Sequence, residues 1–376
     1  MQFEVNLESL LGALEIVKGI VDRRQTIPIL SHILFTLSGH ELTLIATDNE
    51  ITVQKRMNVE SVQEEGSATV PARKLIDICN HLPPASVLFF QQDVKSGRLV
   101  LRVDNQDKSY FSLVSLPPSD FPNFEYHAAQ LQITLPKETL SALIESTYFA
   151  VAEQDVRYYL NGMLWDIKTD AFHTVATDGH RLAKSTFLFS TPQAMQVIVP
   201  RKTLQELSRL FKKPEKYLVE LTLAMGQLSV KTPEYTLASR LIDANFPDYS
   251  RLIVAGEAIA RVDRDQLKDS LSRMRVLLND RYPGIRLSFS CNLLQLSVRN
   301  LEQEEAAEQF TIDYKPAVID EIFAIAFNNE YLMDVLNVLP SGLIEFQFTP
   351  SMPNKSILLQ HTKKRDNVYI IMPIRL

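Results

Sequence analysis

The chain states one pattern three times, and a repeat of this kind confines the fold to an array of like modules built by the same local rules. The run LTLIATDNEITV at 42–53 returns as FHTVATDGHRLA at 172–183, with ATD triplets beginning at Ala46 and Ala176. ATVPARKLIDICNHL from Ala68 corresponds to VIVPRKTLQELSRLF from Val197, and SYFSLVSLPPSDFPNF from Ser109 to EYTLASRLIDANFPDY from Glu234. A fainter third copy follows. IAFNNEYLMDVLNVLP from Ile325 takes the place of the second helical stretch, and VYIIMPIRL at 368–376 the place of EYTLASRL. The copies predict three domains, 1–126, 127–254 and 255–376.

Each copy also divides in two. In the first, QFEVN reads as a strand and LESLLGALEIVKGI as a helix, with Leu7, Leu10, Leu11, Leu14 and Val17 on one face. HILFTL, ELTLIAT and ITVQKRMNV then alternate as strands do. The second half repeats the order, with strand SATV, helix ARKLIDICNHL, and strands SVLFF, RLVLRV and SYFSLVSL. Strand, helix and three strands, twice per copy, predict six such units joined by short turns. The sheets are then mostly antiparallel with helices gathered on one side, an α+β fold.

The rest of the composition narrows function by exclusion. Glycine is scarce, 11 of 376 residues, and neither GxGxxG nor GxxxxGK[ST] occurs. Loops that cradle phosphates need glycine for close backbone approach, so a nucleotide enzyme of that design is disfavoured. A net charge of −6 argues against a globally basic surface for nucleic acid. Cys79 and Cys291 lie far apart without CxxC spacing, which suits neither a disulfide framework nor structural zinc. No apolar run reaches membrane-spanning length, and MQFEVNLESL has no apolar signal core, so a cytoplasmic setting without a membrane is expected. No cofactor or metal is expected.

VATDGHRLA at 175–183 invites an enzyme reading, with Asp178, His180 and Arg157 as its residues. Asp-Gly between alternating runs is instead a hairpin signal, and a type I′ turn would need positive φ at both central residues. Asp48-Asn49 and Asn300-Leu301 occupy the same turn in the other copies, so what recurs is a turn-forming Asp or Asn, not a histidine. Strand alternation would also send His180 and Arg181 to opposite faces. A hydrolase using Asp178 and His180, and a repeat-built scaffold that never surrounds a partner, stand as the alternatives to a binding surface specialised in one copy.

Three copies, QDVRYYLNGML at 154–164, TVATDGHRLA at 174–183, FPDYSRL at 246–252 and the terminal MPIRL together resemble the β subunit of bacterial DNA polymerase III, the sliding clamp, essentially end to end. The resemblance implies a processivity factor without catalytic activity. Two chains would pair head to tail as a homodimer ring of six domains, with helices lining the hole and antiparallel sheets outside. Double-stranded DNA would pass through, bound without regard to sequence, and Arg24, Arg73, Gln154, Tyr158, Tyr159, Arg201 and Lys202 are the implied contacts. In the helix PRKTLQELSRLFKK, Lys202, Gln205, Arg209 and Lys212 form a polar stripe consistent with such a wall. The DNA polymerase III catalytic subunit, the clamp loader, other polymerases and repair proteins would dock short linear peptides in an apolar pocket. Its implied residues are Arg157, Leu160, Thr177, Gly179, His180, Arg181, Leu182, Pro247, Arg251, Leu252, Met372, Pro373, Ile374 and Arg375. Ring closure would bring Lys74, Lys108, Phe111 and Leu113 of the first copy to Val276, Leu277, Glu302, Glu304 and Glu305 of the third.

Overall fold

A computed structural model describes residues 1–21, 26–93, 95–104, 109–125, 127–279, 283–318, 321–352 and 354–375. The first copy runs β1 (Gln2–Asn6), α1 (Leu7–Val17), β2 (His32–Ser38), β3 (Glu41–Thr47), β4 (Ile51–Asn58) and a short β5 (Ser61–Glu64). Its second half is β6 (Gly66–Pro71), α2 (Ala72–Asn80), β7 (Val87–Asp93), β8 (Arg98–Val103) and β9 (Tyr110–Val114). The second copy gives β10 (Ala129–Pro136), α3 (Lys137–Glu145), β11 (Gly162–Ile167), β12 (Ala171–Thr177) and β13 (Arg181–Leu188). It continues with β14 (Met195–Pro200), α4 (Arg201–Leu210), β15 (Leu218–Ala224), β16 (Gln227–Lys231) and β17 (Tyr235–Arg240). The third holds β18 (Ala258–Asp263), α5 (Arg264–Met274), β19 (Gly284–Ser290), β20 (Leu293–Arg299) and β21 (Glu305–Thr311). Last come β22 (Phe323–Asn328), α6 (Asn329–Val338), β23 (Leu343–Phe348), β24 (Ile357–His361) and β25 (Asn367–Ile371). Among the described residues the strand–helix–three-strand order thus occurs six times, and β5 is the one strand outside it.

The helices form where strands hand them a cap. Asn6, Asp263 and Asn328 end β1, β18 and β22, and each accepts hydrogen bonds from backbone N–H groups of the next helix's first turn. α1 then buries Leu7, Leu10, Ala13, Leu14, Ile16 and Val17. Each large side chain so buried contributes roughly 1.5–3 kcal/mol. The helix ends at Val17, short of the LESLLGALEIVKGI run, and Leu11 is only half-buried. The two helices of a copy pack on each other where both lie in one compact unit, α1 with α2 and α5 with α6.

The chain forms two compact units, Met1–Glu138 with Gln205–Leu241, and Thr139–Leu204 with Ile242–Leu376. The division falls inside the second copy, where β10 stays with β15 and β14 with β11, because the halves of each copy exchange their first strands. β1 pairs with β7 and β6 with β2, β10 with β15 and β14 with β11, β18 with β23 and β22 with β19, all antiparallel. Sheets also run on between copies. In the first unit one sheet has the order β10-β15-β16-β17-β4-β3-β2-β6, and in the second β14-β11-β12-β13-β25-β24-β23-β18. Each of these joins its copies through the same pair, the third strand of one meander and the last strand of the next copy: β4 with β17, β13 with β25. Two smaller sheets, β5-β1-β7-β8-β9 and β21-β20-β19-β22, have the corresponding strands β9 and β21 as open edges.

Arg209 departs from the polar stripe read in the sequence. It forks onto Glu206 and donates to the carbonyls of Glu15 and Ile16 at 3.0 and 2.7 Å, tying off the C-terminal turn of α1. A Cβ at Gly19 would stand 2.3 Å from Glu206 Oε2, so any larger residue there would push the Glu206–Arg209 pair aside. No helix among the described residues is long and apolar enough to cross a membrane.

Candidate functional site

The ATDGHR turn is built by its aspartate. Asp178 Oδ1 accepts from the backbone N–H groups of His180 and Arg181 at 2.9 and 3.0 Å, and Thr177 Oγ1 donates to the Arg181 carbonyl at 2.6 Å. Asp48 repeats the device at Glu50 and Ile51, and Asn300 at Glu302 and Glu304. The expected type I′ geometry is not what forms. Only the second central residue has positive φ, Gly179 at 90° and Asn49 at 74°, because the aspartate keeps the first in an ordinary conformation while its side chain bridges the turn.

The expectation that His180 and Arg181 diverge is also overturned. His180 precedes β13, so strand alternation does not govern it, and its ring stacks on Tyr331 of α6 with centroids 6.2 Å apart. The Arg181 guanidinium lies 4.5 Å from the same ring. It further pairs with Asp178 at 3.0 Å and with Asp334, and donates to the Phe149 carbonyl at 2.8 Å. Arg181 is therefore a clasp between the turn and the third copy. Beside it, Arg157 forks onto Asp155 at 3.0 and 2.8 Å and donates to the Asp178 carbonyl at 3.2 Å. The hydrogen bonds from Arg157 hold the Asp155 carboxyl at about 2. A Cβ on Gly179 would sit 3.0 Å from the Arg157 nitrogens, a second reason for glycine in the turn.

An apolar floor lies behind the turn. Leu182 packs with Leu164, Val175, Ile198, Tyr249, Leu358 and Ile370, and Tyr159, Phe246 and Ile253 lean on this cluster. Tyr249 opens a short helical turn, Tyr249–Leu252, whose first residue is locked by a 2.6 Å hydrogen bond to buried Asp166. Asp248 caps that turn by accepting from Ser250, and receives Arg251 Nε at 3.0 Å. Leu252 and Met372 remain 49% and 42% exposed, enough apolar surface over a closed floor to receive a side chain. Met372 N–H donates to the His180 carbonyl at 2.9 Å, which fixes the last segment beside the turn. Pro247 and Arg251 are exposed at the rim, whereas Leu160 is buried. Beyond Pro373 the chain turns away: Ile374 N–H donates to the Ala326 carbonyl, and Ile374 and Arg375 border a cavity of about 920 Å³ on the third-copy sheet.

Tyr331, Asp334, Phe149, Tyr249 and Asp166 organise this site and were not singled out from the sequence. One signal was available for the last two. The second copy has Tyr249 and Asp166 where the first has Phe124 and Thr36, a paired change that supplies a donor and its acceptor together.

Among the residues implied for DNA, Arg24 lies outside the described residues. Arg73 and Lys202 are exposed in the first turns of α2 and α4. Arg201 is half-buried, donating to the Val151 carbonyl at 2.6 Å, stacked over Tyr148 and 3.7 Å from Glu153. Gln154 takes a positive φ of 55°. Tyr158 is exposed, and Tyr159 meets it edge-on while packing inward. α2 and α4 have no acidic residue in their first turns, and basic side chains there oppose the helix dipole. Such a cost of roughly 0.3–1 kcal/mol per charge is reversed when an anion binds.

At the two open edges, Phe111 is half-buried and Leu113 buried on β9, while Val276 is 82% exposed beside Leu277. Lys74, Glu302, Glu304 and Glu305 are exposed, and Lys108 lies outside the described residues. Glu308 on β21 is already paired within the chain, its carboxyl held at about 2 by hydrogen bonds from Arg273.

Three copies joined sheet to sheet, the open edges at β9 and β21 and an apolar socket beneath a clasped turn define a modular binding protein of the DNA-clamp class. The family models for the N-terminal, central and C-terminal domains of the DNA polymerase III β subunit match residues 1–125, 134–248 and 254–375. The chain is 40% identical to the β sliding clamp of Pseudomonas putida over 384 residues, and 35% identical to that of Escherichia coli K12 over 378, each covering both proteins completely. The crystal structure of the DNA polymerase III subunit β from Pseudomonas aeruginosa superposes over all of both chains with a TM-score of 0.93 at 38% identity. A second structure from that organism, bound to griselimycin, gives 0.92 at 38%. The chain belongs to the bacterial DNA polymerase III β subunit family, the sliding clamps, and is a processivity clamp for DNA replication.

Proposed function

We propose that two copies of this chain close head to tail around duplex DNA, and that the surface at Leu182, Leu252 and Met372 tethers polymerases and other partners by short peptides. The observation that carries the closure is the pairing rule inside the chain. The third meander strand of one copy takes the last strand of the next, as β4 takes β17 and β13 takes β25. By the same rule β21 of one chain takes β9 of another, and the two vacant edges are satisfied together after two chains. Phe111, Leu113, Val276 and Leu277 would supply apolar contact there. Lys74 and Lys108 would face Glu302, Glu304 and Glu305.

The domains are 1–126, 127–254 and 255–376, and the helices face the hole. Arg24, Arg73, Gln154, Tyr158, Tyr159, Arg201 and Lys202 touch the phosphate backbone loosely. A ring held by topology needs only weak contacts, and strong counterion-releasing ones would oppose sliding. The protein works by binding in the cytoplasm and makes or breaks no bond. Arg157, Thr177, Gly179, His180 and Arg181 shape the partner pocket, with Leu160, Pro247, Arg251 and Pro373 around it. The test is sedimentation on dilution with Glu304→Lys and Glu305→Lys combined. The monomer fraction should rise, and an unchanged dissociation constant refutes the edge-to-edge closure.

A further inference from the structure

The repeat gives the partner pocket a counterpart between the first and second copies. Thr47, Asn49 and Thr52 occupy the turn and strand positions of Thr177, Gly179 and Leu182, and Pro122 that of Pro247. The backbone confirms the correspondence at the third wall. Arg240 N–H donates to the Glu50 carbonyl at 2.9 Å, as Met372 N–H donates to the His180 carbonyl at 2.9 Å. These residues line a cavity of about 530 Å³ within one compact unit, a size that suits a small ligand or a few peptide residues.

The chemistry of the two pockets has diverged. Where the partner pocket has Leu182, Leu252 and Met372, the counterpart has Thr52, His127 and Arg240. The Arg240 guanidinium makes no hydrogen bond or ion pair with any described residue and stands exposed in the wall. Glu125 is the one carboxylate in the lining, and no ion pair joins it to Arg240. An apolar patch persists in Phe124 and in Met225, which is 79% exposed.

We propose that this cavity is a second peptide-docking site, for a linear segment that brings a carboxylate to Arg240 and an apolar side chain to Phe124 and Met225. It rests on the reading of the Leu182 surface as a peptide pocket. A guanidinium binds a carboxylate through charge-assisted, two-pronged hydrogen bonds, which selects an acidic segment over the apolar one suited to Met372.

The two pockets each carry an exposed methionine, so one experiment reads both. The full-length protein is labelled with ¹³C at methionine methyls, with Met225→Leu and Met372→Leu used to assign the two signals. Acetyl-Ala-Asp-Phe-Asp-Ala-amide should shift the Met225 methyl with a dissociation constant of about 1 mM or tighter. Arg240→Ala, or replacement of both peptide aspartates by asparagine, should weaken binding about fivefold or more. A Met225 methyl unmoved by the acidic peptide overturns the proposal, as does equal binding by Arg240→Ala. The apolar peptide acetyl-Ala-Leu-Ser-Leu-Phe-amide should move Met372 and leave Met225 in place. If it leaves Met372 unmoved, the reading of the partner pocket falls while the Met225 titration still decides this one. If it moves Met225 as strongly as the acidic peptide does, selection by Arg240 is refuted.

Discussion

Arg181→Ala removes the clasp that seats the pocket turn on α6, and its cost can be worked from the geometry around the guanidinium. The side chain is 12% exposed and donates to two carboxylates and the Phe149 carbonyl while lying 4.5 Å from the Tyr331 ring. A charge-assisted hydrogen bond contributes roughly 1.5–3 kcal/mol, and breaking a buried ion pair costs about 3–5 kcal/mol. Asp178 and Asp334 keep 19% and 35% of their side-chain surface, so water relieves part of the loss. The lower end, about 3 kcal/mol, is the appropriate figure. Trp165, the sole tryptophan, is buried on β11 in the same compact unit as Arg181, so its fluorescence reports that unit. With a urea dependence of about 2.5 kcal/mol per molar, the midpoint should fall by about 1 M. Arg181→Lys keeps the charge without the planar fork and should fall between. Arg251→Ala, whose side chain is 84% exposed and pairs only with Asp248 among the described residues, should move the midpoint by less than about 0.2 M. A shift below about 0.3 M for Arg181→Ala would refute the clasp.

Burial pushes the His173 imidazole down to about 4, with Lys184 acting in the same direction and Asp166 against it. The unfolded chain takes up that proton first. The stability from neutral His173 is therefore complete above the ordinary histidine value of about 6.5 and lost as pH falls toward 4. The Trp165 urea midpoint should drop across this window, and His173→Gln should flatten the drop. Burial also pushes the Cys79 thiol up to about 12, whereas Cys291 is exposed. One thiol should react rapidly with Ellman's reagent in the folded protein and a second only on unfolding; two rapid equivalents would contradict the packing around Cys79. Arg73→Glu with Lys202→Glu should weaken binding to a duplex and reduce its salt dependence, by about 0.9 in the logarithmic slope for each phosphate the variant no longer neutralises. An unchanged slope would take both residues off the DNA wall.

The repeat, the six strand–helix–three-strand units and the Asp or Asn at one corresponding turn of each copy were legible in the sequence, because each depends on neighbours a few residues apart. Hydrophobic alternation placed β1 at Gln2–Asn6 and β3 at Glu41–Thr47, and Asp48 and Asp178 bridge their turns through their own backbone. The family motifs also named Leu182, Leu252 and Met372 as neighbours. Tertiary structure alone decided which strands exchange between the halves of a copy, since β10 finds β15 and β14 finds β11 across long stretches of chain. It also decided what the charged residues do. The same polar stripe holds exposed Lys202 and an Arg209 drawn onto the carbonyls of α1, and no periodicity separates them. His180 and Arg181 meet one ring, Tyr331, because the turn ahead of β13 is held by Asp178 and packed against a helix from another copy. A local pattern records which residues can be buried or can turn the chain. Which partner completes a buried charge or an open strand edge is settled only when distant segments compete for the same hydrogen bonds.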